Sequence, residues 1–136
     1  MIKQDLINAY IAALNGTFLY DGEIIPCRDY SLRPDETPDY YILLTTYNED
    51  TDTQTKCGNT WVSNILVDIV TKFQAGYGNR FIANQIRAQV IPIIMSMSLS
   101  GLQSTTIIED TDLTMLTDAE SVFRNLIRFE HRININ

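Results

Sequence analysis

Cysteine is scarce in this chain, and so are long apolar runs. Two cysteines in 136 residues are too few for the disulfide framework of a small secreted domain. Cys27 and Cys57 are therefore interpreted as reduced thiols, with a single bridge between them as the alternative. No apolar run approaches the ~20 residues of a membrane helix, and the first residues lack the apolar core of a signal peptide. We expect neither a membrane span nor secretion.

Basic residues are also few. Ten lysines and arginines stand against 17 acidic residues, which gives a formal net charge of −7. This balance argues against a freestanding nucleic-acid-binding domain, although it allows a local basic stripe. Apolar residues make up 45% and charged residues 20%, which is typical of one globular domain. Residues 1–136 are accordingly expected to form a single domain.

Two segments have the three- and four-residue apolar spacing of helices. The first covers about residues 2–15 and is followed by Asn15 and Gly16, which tolerate the positive φ found after a helix end. The second is expected to begin at Asn79, a good N-cap, and to run to Ile94. Proline removes a backbone donor, so we expect a kink or an end at Pro92.

The remaining segments are extended or looped. Residues 48–59 are predicted as a polar loop, and the long strand 60–73 is expected to project and pair with a neighbour. The full order is α-β-β-β-α-β-β, which predicts an α+β domain with two helices on one face of a mostly antiparallel sheet. The other expected elements are a hairpin within 17–27, a loop over 26–39, strands 40–47, 104–116 and 121–133, and a turn at 117–120.

No motif indicates a catalytic, cofactor or metal site. Gly76-x-Gly78 has the start of a dinucleotide fingerprint, but the position of the third glycine is Phe81. Asp50-x-Asp52 has the start of a calcium loop, but its sixth and twelfth positions are not glycine and glutamate. This stretch is interpreted as a solvated acidic loop or as a contact for a neighbouring basic patch. We expect no catalytic residue, no cofactor and no metal.

The lone histidine and the acidic cluster have structural interpretations. His131 has no nucleophile at a recognised spacing, and it shares a strand face with Phe129 and Ile133. A satisfied, partly buried histidine is the expectation. Glu109, Asp110 and Asp112 are interpreted as an exposed face.

Three arginines lie on one side of the last strand. Arg124, Arg128 and Arg132 are spaced by four residues, so they share a face. Three interpretations stay open: a solvated strand face, salt bridges to acidic loops of an adjacent copy, and contact with passing DNA.

The chain resembles the tail-completion, or tail-terminator-like, proteins of tailed phages. Four segments carry the resemblance: helix 2–14, the path from 22–26 through a proline-bearing loop to 38–42, helix 79–94, and the arginine-bearing aromatic strand 122–129. Asp39 stands between the proline and tyrosine that enter the strand in that family, and the loop 48–59 and Pro92 are further departures.

The resemblance implies a structural virion protein of the neck, assembled in the host cytoplasm. It implies an α+β subunit of a homo-oligomeric ring, a hexamer or a dodecamer, that completes or terminates the tail and joins it to the head. Its partners would be connector, portal-adaptor or tail-tube proteins, with DNA passing through the lumen without sequence-specific binding. No enzymatic activity is implied.

The expected subunit interface joins the acidic loop to the arginine stripe. Its residues are Glu49, Asp50, Asp52, Trp61, Arg124, Arg128 and Arg132. Charge reversal at Arg124 and Arg128 would then weaken ring assembly. The alternatives are a small α+β ligand-binding domain and an adaptor that adds a strand to a partner's sheet.

Overall fold

The described residues form two helices and seven strands, and the α+β class predicted from the sequence is confirmed. The computed structural model describes residues 2–16, 19–20, 23–29, 39–52 and 59–135. The elements in chain order are α1 (Ile2–Leu14), β1 (Leu19–Tyr20), β2 (Glu23–Ile24), β3 (Cys27–Arg28), β4 (Tyr40–Asp52), β5 (Asn59–Gln74), α2 (Phe81–Met95), β6 (Leu102–Leu116) and β7 (Glu120–Ile135).

A five-stranded sheet of order β3-β4-β5-β7-β6 forms the centre of the molecule. All neighbours in it are antiparallel except β3 and β4, which pair in parallel. β1 and β2 make a separate two-stranded hairpin. β5 is bonded on both sides, to β4 and to β7, so it cannot offer its backbone to a neighbour. The expectation that the strand at 60–73 pairs outward is therefore wrong.

Both helices cover the same face of this sheet, as predicted. Side chains alternate across a strand, so every second residue of β5 points at the helices. Each large aliphatic side chain buried here stabilises the fold by ~1.5–3 kcal/mol. The core comprises Leu6, Tyr10 and Leu14 of α1, Ile82, Ile86, Val90 and Ile94 of α2, and Ile42, Leu44, Ile65, Val67, Ile69, Ile127, Phe129 and Ile133 of the sheet.

The boundaries of β4 correct the predicted loop at 48–59. β4 continues through residues 48–52, because β5 supplies partners for its polar end as far as the pair Asp52 and Thr60. A register shift between Thr46 and Glu49 accommodates an irregularity in the ladder. The ladder thus overrides the weak strand propensity of aspartate and asparagine. Residues 53–58, including Cys57, lie outside the described residues.

The chain between α1 and β4 confirms one prediction and corrects another. β1 and β2 pair antiparallel, as the hairpin signal indicated, although Asp21 and Gly22 lie outside the described residues. The expected loop over 26–39 contains β3, which pairs with Ile42 and Leu43. Residues 30–38 are outside the described part of the chain.

Helix α2 begins later and ends later than expected. Asn79 does not occupy the N-cap position, which belongs to Arg80, but its Oδ1 still accepts a hydrogen bond from Phe81 N–H at 2.9 Å. Pro92 lies inside the helix, which continues to Met95. Pro92 is exposed, so solvent is available to the carbonyl that its ring leaves without a donor.

Two glycines form the turn between β5 and α2, and only one of them is tightly packed. Gly76 and Gly78 both have positive φ, at 80° and 84°. A Cβ at Gly78 would overlap the ring of Phe73, which is held between the rings of Tyr40 and Phe123. A Cβ at Gly76 meets nothing within 4 Å.

We predict that Gly78→Ala destabilises the fold by about 3 kcal/mol, because backbone strain and an overpacked ring add together. Gly76→Ala, the matched control, carries only the backbone strain and should cost about 1 kcal/mol. Urea unfolding of both variants measures the difference. Equal losses of stability would show that the ring of Phe73 gives way freely.

Candidate subunit-interaction surface

His131 is a buried structural residue that ties α1 to the sheet. It is fully buried, its Nε2 is hydrogen bonded with the Tyr10 hydroxyl, and its Nδ1 lies 3.0 Å from Thr105 Oγ1. A neutral imidazole donates through one nitrogen and accepts through the other, and a hydroxyl suits either role. Burial lowers the pKa of His131 to about 4. The expectation of a satisfied histidine is confirmed, with complete rather than partial burial.

The other predicted chemical features occupy structural places. Gly76 and Gly78 form the turn described above, and Cys27 is a free, buried thiol whose pKa burial raises to about 12. A thiol in that state is a poor nucleophile. The described residues contain no group of three or more side chains placed to hold a metal ion. Neither α1 nor α2 is long and apolar enough to cross a membrane.

The arginine stripe is paired within the chain. Arg124 forms a salt bridge with Asp68 of β5, with Nε 3.2 Å from Oδ1, and the side chain of Asp68 is only 5% exposed. Arg128 lies 3.1 Å from Glu109 of β6. Arg132, at the far end of the same face, is exposed. At least two of the three charges are therefore already neutralised before any partner arrives.

The sheet face opposite the helices, here called the open face, combines these pairs with apolar groups. Val70 and Val122 are buried on it and Tyr41 is half-buried, although neither α1 nor α2 covers it. Lys72 lies over the ring of Tyr41 at 5.2 Å. The apolar groups and the neutralised arginines suit a protein contact better than a polyanion. A shallow hollow of about 290 Å³ lies among Tyr41, Leu43, Asp68, Val70, Lys72, Met115, Glu120, Val122 and Arg124.

The acidic cluster on β6 is exposed, as predicted, but it is also ion-paired with α2. Arg87 Nε donates to Asp110 Oδ2 at 3.0 Å, and Arg80 lies 3.4 Å from Asp112. Asn125 Nδ2 donates to both carboxylates, at 3.2 and 2.7 Å. The hydrogen bond from Arg87 lowers the pKa of Asp110. This cluster attaches the edge strand to the helix layer.

Strand β6 is a free edge of the sheet that the described residues form. It has 15 residues, it pairs with β7 on its inner side, and no described strand lies on its outer side. Unpaired edges of this length are templates for pairing with another chain. Four large apolar side chains stand exposed along it: Ile108, Leu113, Met115 and Leu116. This surface was not predicted; its signal in the sequence was the apolar residues Leu113, Met115 and Leu116, the last of which breaks strict alternation before the turn.

The residues predicted for the subunit interface are separated by the fold. Arg124, Arg128 and Arg132 are on β7, and Trp61 lies half-buried in the central strand β5. Glu49, Asp50 and Asp52 are at the end of β4, which lies on the other side of β5. Their role in an interface stays a prediction.

Comparison with known proteins finds similarity among solved structures. No protein-family model matches the chain, and no curated protein matches it. Among solved structures, a chain described as "Virion of native gene transfer agent (GTA) particle" matches with a TM-score of 0.58 and 16% identity. The match covers 80% of this chain and 78% of that chain. At this identity the similarity shows a shared fold.

The buried histidine predicts a loss of stability in mild acid. Because its pKa is lower in the folded state, the unfolded chain takes up the proton first as the pH falls. The contribution of His131 is complete above about pH 6.5 and is lost toward pH 4, with about 2 kcal/mol lost between pH 7 and 5. Urea unfolding at both pH values measures this loss. His131→Gln should remove most of it, and an unchanged slope in that variant would refute the assignment.

The pair between Arg124 and Asp68 predicts that the arginine stripe supports the fold. Arg124→Met leaves a buried carboxylate without its partner and should destabilise the chain by about 2 kcal/mol. Arg132→Met, on the same face but exposed, should cost about 1 kcal/mol or less. Thermal unfolding of the two variants makes the comparison. Charge reversal at Arg124 would therefore lower the stability of the fold as well as any assembly. Equal losses of stability in Arg124→Met and Arg132→Met would contradict a structural role for the pair with Asp68.

Proposed function

We propose that this chain is a structural protein of a virion. The observation that carries the proposal is the fold shared over 80% of the chain with a component of the gene transfer agent virion. The resemblance of its segments to tail-completion proteins of tailed phages points in the same direction. The proposal treats the chain as a subunit of an assembly and not as an enzyme.

Within the virion, we place the chain in the neck as a ring-forming subunit that completes or terminates the tail and joins it to the head. Rings of six or twelve copies would contact connector, portal-adaptor or tail-tube proteins. The free edge of β6 and the neutralised open face support an assembly role, because both are surfaces suited to protein contact. The net charge of −7 suits a lumen that DNA passes without being held.

The free edge of β6 also supports a second function. An adaptor that accepts a strand from one partner protein would use the same surface. The two functions differ in stoichiometry, because an adaptor forms a one-to-one complex and a ring subunit associates with copies of itself.

We predict that the purified chain forms closed rings as its concentration rises. Light scattering across a concentration series should show a transition to six or twelve copies, and negative-stain images of the same fractions should show rings. Leu113→Lys places a charge on the free edge and should raise the concentration needed for assembly at least tenfold. Tyr77→Lys, at a more exposed position away from the edge, should assemble normally.

Two outcomes would count against a ring-forming subunit. A chain that stays monomeric at every concentration, and in the presence of neck and tail components from infected cells, would contradict the proposal. A one-to-one complex with a single partner would favour the adaptor function.

A further inference from the structure

We propose that the copies in the ring are joined edge to edge, with β6 of one copy pairing antiparallel with β4 of the next. This inference rests on the proposed ring and specifies its interface. The partner is a second copy of this chain, and the bonds are backbone hydrogen bonds between two sheet edges.

The directions of the strands make this pairing antiparallel. β4, β5, β7 and β6 lie side by side, and each is antiparallel to its neighbour. Because these four strands alternate in direction, the first and the last of them, β4 and β6, run in opposite directions. When the sheet is repeated head to tail around an axis, β6 of one copy therefore meets an oppositely running β4. Two different edges make a heterologous contact, which is the kind that closes into rings.

Both edges have backbone N–H and C=O groups that no described strand pairs with. In antiparallel ladders, residues point their N–H and C=O alternately inward and outward. Thr117 N–H donates to the Glu120 carbonyl at 2.9 Å, which fixes the residues in the adjoining part of β6 whose backbone groups point inward to β7. The backbone N–H and C=O groups of Asp112 and Thr114 then point outward, where no described strand lies. The β6 edge is therefore able to accept a strand.

The β4 edge is available beyond β3. Lys72 N–H donates to the Asp39 carbonyl at 2.7 Å, which fixes the residues of β4 whose backbone groups point inward to β5. Ile42 N–H points the other way and donates to the Pro26 carbonyl at 2.9 Å. Leu44 is the next residue whose backbone groups point outward, and the parallel pairing of Arg28 with Leu43 uses its N–H. β3 pairs with Ile42 and Leu43, and no described strand lies outside residues 45–52, a length of ~25 Å.

Charge disfavours the alternative in which two β6 strands pair with each other. Glu109, Asp110 and Asp112 lie near the middle of β6, so a symmetric antiparallel pair would place them beside their own copies. Like charges across a strand pair are destabilising, and the arginine partner of each carboxylate within the chain offsets only part of this repulsion. Such a pair would also close as a dimer and leave both β4 edges unused.

Cysteine cross-linking tests the interface. In a Cys57→Ser background, Thr45→Cys on β4 is combined in turn with Ser104→Cys, Thr106→Cys, Thr111→Cys or Leu113→Cys on β6. All five positions are exposed, and the four on β6 sample different registers. Cys27 is kept because its buried thiol is unreactive. The double variants are treated with a mild oxidant and with a short bis-maleimide, then run on a denaturing gel.

At least one double variant should give a ladder of covalent oligomers ending at the ring size. The single β6 variants and the control Thr45→Cys with Tyr77→Cys should stay single chains. A covalent dimer from a single β6 cysteine would show the symmetric pairing and overturn the inference. Rings seen in images without a ladder in any register would overturn the edge pairing but leave the ring intact. Absence of rings, also in the presence of neck and tail components, would instead contradict the proposed function itself.

Discussion

The ladder between β5 and β7 is the constraint on which the rest of the structure depends. These strands pair along residues 59–74 and 120–135, and every other strand of the main sheet except β3 is bonded directly to one of them. Their shared face supplies the floor on which both helices pack. Because both helices lie on that one face, neither helix covers the open face, and no described strand pairs with the outer edge of β6.

The same ladder decides what the charged residues do. It brings Arg124 of β7 diagonally beside Asp68 of β5, and Arg128 beside Glu109 of β6. The arginines that look free in the sequence are thereby neutralised inside the chain. A surface of paired charges and half-buried apolar groups has little attraction for a polyanion, but it tolerates contact with another protein surface.

Local patterns predicted the elements whose signals are local. The spacing of Leu6, Tyr10 and Leu14 gave α1, and the alternation through residues 60–73 gave β5. Prediction failed where a distant partner overrode local propensity. The polar residues 48–52 extend β4 because β5 lies beside them, and α2 passes Pro92 because its neighbours Val90 and Ile94 are held in the core. Neither partner is visible from the local sequence.

The sequence by itself determined the α+β class, the two helices, the buried histidine and the lack of any motif for catalysis or metal binding, since each depends on composition or short-range period. Only the tertiary structure decided the strand order and therefore which strand lies at the edge. The long strand of β5 looked available for pairing and is internal, whereas no described strand lies on the outer side of β6. Sheet order depends on contacts between residues far apart in the chain, and periodicity carries no information about them.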